Sequence, residues 1–324
     1  EEALVYDSMI SLGREEEYMR VNGRPNVLTE VAQRIATVLG GVLAELEQEV
    51  VMLEIPESRT IAAQMNETIQ GKRILEAEAA HTPHSFAWYS GEPAFYAEIM
   101  EGREIGRAES LGSMIEMRLG DYSFVVGDGT NARYFAPGEK LPEKYQIRIT
   151  LEDDSHVVCT VQMYGAMFLV QPDVYDNPYY LAGKRKPMPN TEDFTYGYFK
   201  QLFDGLSGNT SMKAFLTTEQ RIPGLGNGVL QDILLAAGLH PKRKISGMTE
   251  ERRRKIYDAV QGTLERMTAA GGRDTEKDFF GRKGGYQTFL SKKTVGKPCP
   301  YCGNPIQKMN YLGGTVYFCP FCQN

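Results

Sequence analysis

Four cysteines near the C-terminal end carry the most specific chemistry in the chain: Cys299-x2-Cys302-x16-Cys319-x2-Cys322. Each Cys-x2-Cys pair turns tightly enough to aim two thiolates at one point. Two such pairs supply the all-sulfur tetrahedral shell that Zn2+ prefers. Protein would fill all four positions, so a single, structural zinc ion is expected, with no open position for a catalytic water. The alternative is two disulfides in a secreted module. Against it stand the lone fifth cysteine, Cys159, and the lack of a signal-type segment, so reduced thiolates and a cytoplasmic location are expected. Residues 311–318 read as a strand pair turning at Gly313-Gly314.

A second motif runs Arg221-Ile-Pro-Gly-Leu-Gly-Asn-Gly-Val-Leu and on to His240-Pro241. A glycine-flanked turn opens a helix at Asn227, and Gly238 closes it. A helix start exposes unpaired N–H groups and a positive dipole end, which suits a phosphate, and Asn227 would add a side-chain donor. A plain N-cap asparagine in a helical hairpin is the alternative. Glu54 and Glu57 flank Pro56, where a helix start would also favour acidic residues. His81 and His84 read as loop residues and Trp88 as core. No glycine-rich loop of nucleotide-binding type is present, so no nucleotide cofactor is expected.

The elements that must position these groups follow from periodicity. At 324 residues two or three domains are expected. No stretch approaches the roughly 20 apolar residues of a membrane span. Residues 1–51 form an N-terminal extension with one amphipathic helix over 26–50, where Leu28, Val31, Ile35, Val38, Leu39, Val42 and Leu46 share a face. That face suits a protein partner or a second copy of the chain. Residues 52–181 are strand-rich, with turns at Gly120-Asp121, Gly127-Asp128-Gly129 and Asp153-Asp154, and one helix over 57–69. Residues 182–193 read as a basic, proline-containing linker. Residues 194–293 are helical, with helices at 195–203, 213–216, 229–237 and 249–269. The ribbon occupies 297–324. The fold class is therefore α+β multidomain. Net charge is −6 overall, yet residues 241–297 carry +8 while 1–51 carry −6. A basic C-terminal third, including Arg243, fits a molecule that turns one face to phosphates, although a solvated helix face would show the same run.

Taken together, the β-rich part, the Gly-Leu-Gly-Asn helix, the basic helix and the four-cysteine ribbon resemble the formamidopyrimidine-DNA glycosylase and endonuclease VIII family over roughly 52–324. Met52-Leu-Glu-Ile-Pro-Glu57 is similar to its amino-terminal Met-Pro-Glu-Leu-Pro-Glu, Gly284-Gly-Tyr286 to its flexible base-capping loop, and Gly296-Lys-Pro-Cys299 to its finger entry. The resemblance implies a β-sandwich domain with one helix, a helix-two-turn-helix domain and a zinc ribbon. It implies double-stranded DNA, damaged or abasic, as partner, with base flipping, excision of an oxidised base and strand nicking. By the resemblance Glu54 is the general acid/base, with Glu57 a second carboxylate, and Asn227, Met163, Tyr164, Tyr286, Lys283 and Arg243 meet DNA.

The departures are as specific. The family's nucleophile is the amine of an amino-terminal proline. The matching position is Leu53, whose nitrogen is an amide and not nucleophilic. The family lysine matches Ser113, its void-filling methionine Asp128, its Arg-Arg-Phe Gln162-Met163-Tyr164, and its zinc-finger arginine falls near Gly314. Two functions follow: a glycosylase or abasic-site lyase, or a DNA-binding, damage-sensing relative that has lost the amine.

Overall fold

The computed structural model describes residues 53–127 and 129–324. The helix expected over 26–50, with its partner or self-association face, lies outside the described residues, as does Asp128. Helix α1 (Ile55–Thr68) starts where Pro56 fixes the first turn and Glu57 meets the positive dipole end, and it buries Ile61, Ala62 and Met65. Nine strands then build two sheets. One has β1 (Ile74–Ala79), β7 (Ile147–Leu151), β8 (His156–Val161) and β6 (Thr130–Phe135) in that spatial order. The other has β2 (Ala87–Tyr89), β9 (Gly165–Val170), β5 (Tyr122–Val126), β4 (Ile115–Leu119) and β3 (Ala108–Ser110). Pairing is antiparallel except between β2 and β9. Ile74, Ile147, Ile149 and Cys159 of one sheet meet Leu119, Phe124 and Met167 of the other in one core with α1, so the sandwich is as expected. Asp154 occupies the left-handed region at the β7–β8 turn, φ 61°, as Asp tolerates.

Two helices appear that the strand-rich reading omits. Short α2 (Tyr96–Met100) packs beside β1. Helix α3 (Pro178–Arg185) crosses the expected start of the linker. Asn177 Oδ1 accepts the amides of Tyr179 and Tyr180, both at 3.0 Å, and Pro178 fits the first turn. Its final Lys184-Arg185, read as linker charge, sit where the dipole favours cations.

The helical unit holds α4 (Tyr196–Gln201), α5 (Met212–Thr217), α6 (Asn227–Ala237) and α7 (Glu250–Ala269), with Thr195, Ser211 and Thr249 capping α4, α5 and α7. Phe199, Phe215, Ile233, Leu234, Ile256, Val260 and Leu264 fill its core. Arg221, 9% exposed, collects carbonyls at the end of α5. In the ribbon, β10 (Gln307–Tyr311) pairs with β11 (Gly314–Phe318). The turn is Leu312-Gly313, φ 47° and 70°, rather than Gly313-Gly314, and the first strand begins at Gln307 rather than 311. The ribbon packs on α6 through Leu235, Leu290 and Ile306. Among the described residues no helix is long and apolar enough to cross a membrane.

Candidate active site

Glu54 ends the extended segment before α1 and reaches into the helical unit. Its Oε1 accepts the Gly228 amide at 2.8 Å and its Oε2 the Val229 amide at 2.7 Å. A side chain from one unit thus satisfies the open N–H groups of α6 in the other. Glu54 is 2% exposed, and burial pushes its carboxyl above the ordinary range, against the pull of Arg273 and the two amides. The approach needs two glycines. Gly112 and Gly224 both sit in the left-handed region, φ 76°, and a Cβ on either would run into the other's backbone. Ser58 fastens the same junction, with Oγ donating to Gly112 O at 2.6 Å, while the Ile55 amide donates to Gly224 O.

Glu57 is buried beside Glu54. Arg273, from the segment after α7, grips it with Nε at 2.9 Å, Nη2 at 2.8 Å and its backbone amide at 3.0 Å. Arg273 Nη1 lies 3.5 Å from Glu54 Oε2. Burial opposes the charge on Arg273, yet Glu54 and Glu57 hold the guanidinium protonated well above its ordinary range. Leu53, also buried, lines a small recess with Glu57, Ile61, Thr130, Ala132, Glu276 and Lys277.

Asn227 is the first residue of α6, and the N-cap is Gly226. The Asn227 amide does not cap: Nδ2 donates to Thr315 O of the ribbon at 2.9 Å. Lys213 Nζ, buried, donates to Tyr311 O at 2.6 Å, and burial lowers its pKa to about 8. The Lys213 and Asn227 side chains both lie next to Gly314, the position near which the resemblance sets a phosphate-gripping arginine. The thiolates of Cys299, Cys302, Cys319 and Cys322 lie within 4.8 Å of one another, with Cys299–Cys322 at 3.8 Å and Cys302–Cys319 at 3.4 Å. A tetrahedral shell with metal–sulfur bonds of about 2.3 Å has sulfur–sulfur edges of about 3.8 Å. The four thiols fit one metal ion.

Residues 271–286 form a strap rather than a free loop. Gly284-Gly285-Tyr286, expected in a flexible capping loop, are its neck: the Gly285 amide donates to Ala270 O, Tyr286 to Gly272 O, and Asp274 to Tyr286 O. Tyr286 is buried in the helical core, not turned to solvent, while Lys283 is exposed. Phe279 plugs the sandwich core, clasped by Gln64 and Tyr134. Just after the strap the chain returns to α6 at Asp232, which accepts the Phe289 and Leu290 amides at 3.0 and 2.8 Å. Burial raises the Asp232 pKa to about 6.

Met163, 41% exposed, and Tyr164 lie at the rim between β8 and β9. Tyr164 packs over Gly129, just before the β6 residues that line the recess. Arg243 is half-buried and pairs by backbone with Met212. The fold therefore gathers Leu53, Glu54, Glu57 and the start of α6 in one place. The sequence reading missed Arg273, Lys213, Asp232 and Phe279. In the segment of Arg273 and Phe279 the sequence had drawn notice only to Gly284-Gly285-Tyr286.

No family model matches the chain. It is 28% identical over 279 residues to the formamidopyrimidine-DNA glycosylase of Symbiobacterium thermophilum, covering 84% of this chain and 89% of that protein. It is 25% identical over 281 residues to the Bacillus subtilis protein of the same name, covering 84% and 99%. Its structure is similar to Lactococcus lactis Fpg solved with DNA containing an abasic site, with TM-score 0.72, 22% identity, and 84% and 99% of the chains covered. It is similar also to the MutM (Fpg) protein of Thermus thermophilus, with TM-score 0.70, 24% identity, and 83% and 98% covered. Sequence and fold agree along nearly the whole of those proteins, and the chain is similar throughout to the formamidopyrimidine-DNA glycosylases.

Proposed function

We propose that this protein is a DNA repair enzyme that binds damaged duplex DNA and excises an oxidised base, its ribbon held by one Zn2+. The observation that carries this is Glu54, a carboxylate placed on the first amides of α6 at the junction of sandwich and helical unit. Relatives of the same fold were solved with DNA bearing an abasic site or an oxidised pyrimidine. Chromosomal DNA as substrate would put the protein in the cytoplasm. With an amide at Leu53, the chemistry left to the site is hydrolytic. Glu54 would take the proton of the water that displaces the base at C1′. The metal supplies no step: four thiolates close its shell, and it would hold the hairpin that carries Tyr311 and Thr315.

A second reading, favoured by the burial of Glu54 and the amide at Leu53, is a damage-sensing relative that binds without cutting. The deciding experiment incubates the full chain with duplexes carrying one oxidised base, followed by alkali to reveal base loss. Alkali-dependent breakage at the lesion, lost in Glu54→Gln, supports excision. Tight lesion binding with an intact base supports the sensor. No binding to any duplex at low salt removes both.

A further inference from the structure

We propose that Arg273 is the positioning residue of the Glu54–Glu57 pair, and that position 228 is glycine because the Arg273 guanidinium occupies the space of a side chain there. This rests on reading Glu54 as the group that handles the proton at C1′.

Arg273 is 2% exposed, among the largest side chains fully buried in the described residues. Such a residue is retained only when its donors are used. Here Nε and Nη2 make a forked contact with Glu57 at 2.9 and 2.8 Å, a geometry specific to a guanidinium. The same group leaves Nη1 3.5 Å from Glu54 Oε2. Glu54 is thus held by two amides of α6 and approached by a cation from the strap. That combination fixes the carboxylate's orientation and sets how readily it gives or takes a proton.

A Cβ at position 228 would overlap the guanidinium itself. Gly228 is the second residue of α6, where alanine would otherwise form helix better by about 1 kcal/mol. Glycine here is explained by Arg273 rather than by the helix. The other charged groups that act on the guanidinium are Glu276 on the strap and Asp232 on α6. Both are acidic, so removing Arg273 would leave carboxylates facing one another.

The test needs no DNA. Glutamate side-chain carboxyls are labelled with 13C in the full chain, and the Glu54 signal is assigned by its loss in Glu54→Gln. Its titration is followed in the native chain, Arg273→Gln, Arg273→Lys and Gly228→Ala. In Arg273→Gln the midpoint should rise by about one pH unit or more, a tenfold change in protonation ratio. Arg273→Lys should restore at least half of the shift. Gly228→Ala, which must displace the guanidinium, should move the midpoint in the same direction, and should add much less in an Arg273→Gln background, where only its 3.1 Å approach to Glu54 Oε1 remains. If Arg273→Gln does not fold, Gly228→Ala and Arg273→Lys carry the comparison. A midpoint within about 0.3 units of native in each folded variant, or an undiminished alanine effect in the double variant, overturns the proposal. Absence of excision by the native chain in the DNA assay would refute the proposed function and with it the catalytic meaning of the pair, whereas the titration decides separately whether Arg273 positions Glu54.

Discussion

Asp232 pins the segment that follows the strap onto α6 by accepting the Phe289 and Leu290 amides while almost fully buried. Its folded pKa of about 6 lies above the ordinary 3.8, so the folded state holds the proton more tightly. The stability tied to this group therefore rises as pH falls from 7 toward 5, by about 1 kcal/mol, and is lost as pH rises through 6. Urea melts of the native chain and Asp232→Asn at pH 7 and pH 5 should differ in that direction. An equal pH response in both would remove Asp232 as the titrating group. Asn227 poses a different question. Its side chain is spent on Thr315, so Asn227→Ala loosens the ribbon at α6. We expect several-fold weaker binding to an abasic-site duplex and a smaller loss on undamaged DNA. Equal losses would reduce Asn227 to an internal tie.

At the scale of elements, the strap and the ribbon each fasten one unit to another. Phe279 fills the sandwich core from a segment that begins at the end of α7. Phe279→Ala should cost about 3–5 kcal/mol, the usual range for a buried phenylalanine. It should also raise hydrogen exchange across 273–286; exchange there unchanged from native would show that the strap does not depend on its plug. The ribbon buries only a few side chains, among them Ile306, Val316 and Cys319. A core that small does not hold itself, so metal binding is folding energy. Chelation, or Cys302→Ser, should open residues 297–324 to protease while α7 stays resistant. Elemental analysis of native protein should give one zinc per chain, and a value well below one would discard the metal.

For the whole molecule the expectation concerns DNA and covalent chemistry. Lys213 and Asn227 meet the ribbon hairpin on the same side as the start of α6. Binding through such a face should weaken with salt at a slope of about −0.9 per phosphate neutralised, measured by fluorescence anisotropy. Borohydride should not trap the native chain on abasic DNA, because the amide at Leu53 cannot form an iminium. A chain engineered to begin with proline in place of Leu53 should be trapped if the scaffold is competent. Trapping of the native chain would show that another amine serves.

What the sequence determined by itself are the features whose physics is local. The Cys-x2-Cys pairs announce their site because two residues between ligands force both thiolates to one point. Helices α4 to α7 were legible as helical stretches within 194–293, and the sandwich as a strand-rich stretch marked by its Gly-Asp turns. Helix α3 was not, because eight residues ending in Lys184-Arg185 look like a charged linker until the Asn177 cap is seen. The site itself was only partly legible. Glu54 and Asn227 stood out through family motifs, yet Asn227 proved to serve the ribbon rather than cap its own helix. Arg273 gave no signal, because a lone arginine acquires its role from carboxylates more than two hundred residues away in sequence. Gly228 looked like one more turn glycine until the guanidinium was found in its side-chain space. Burial, counter-charge and excluded volume arise only when distant segments pack, and the tertiary structure alone decided them.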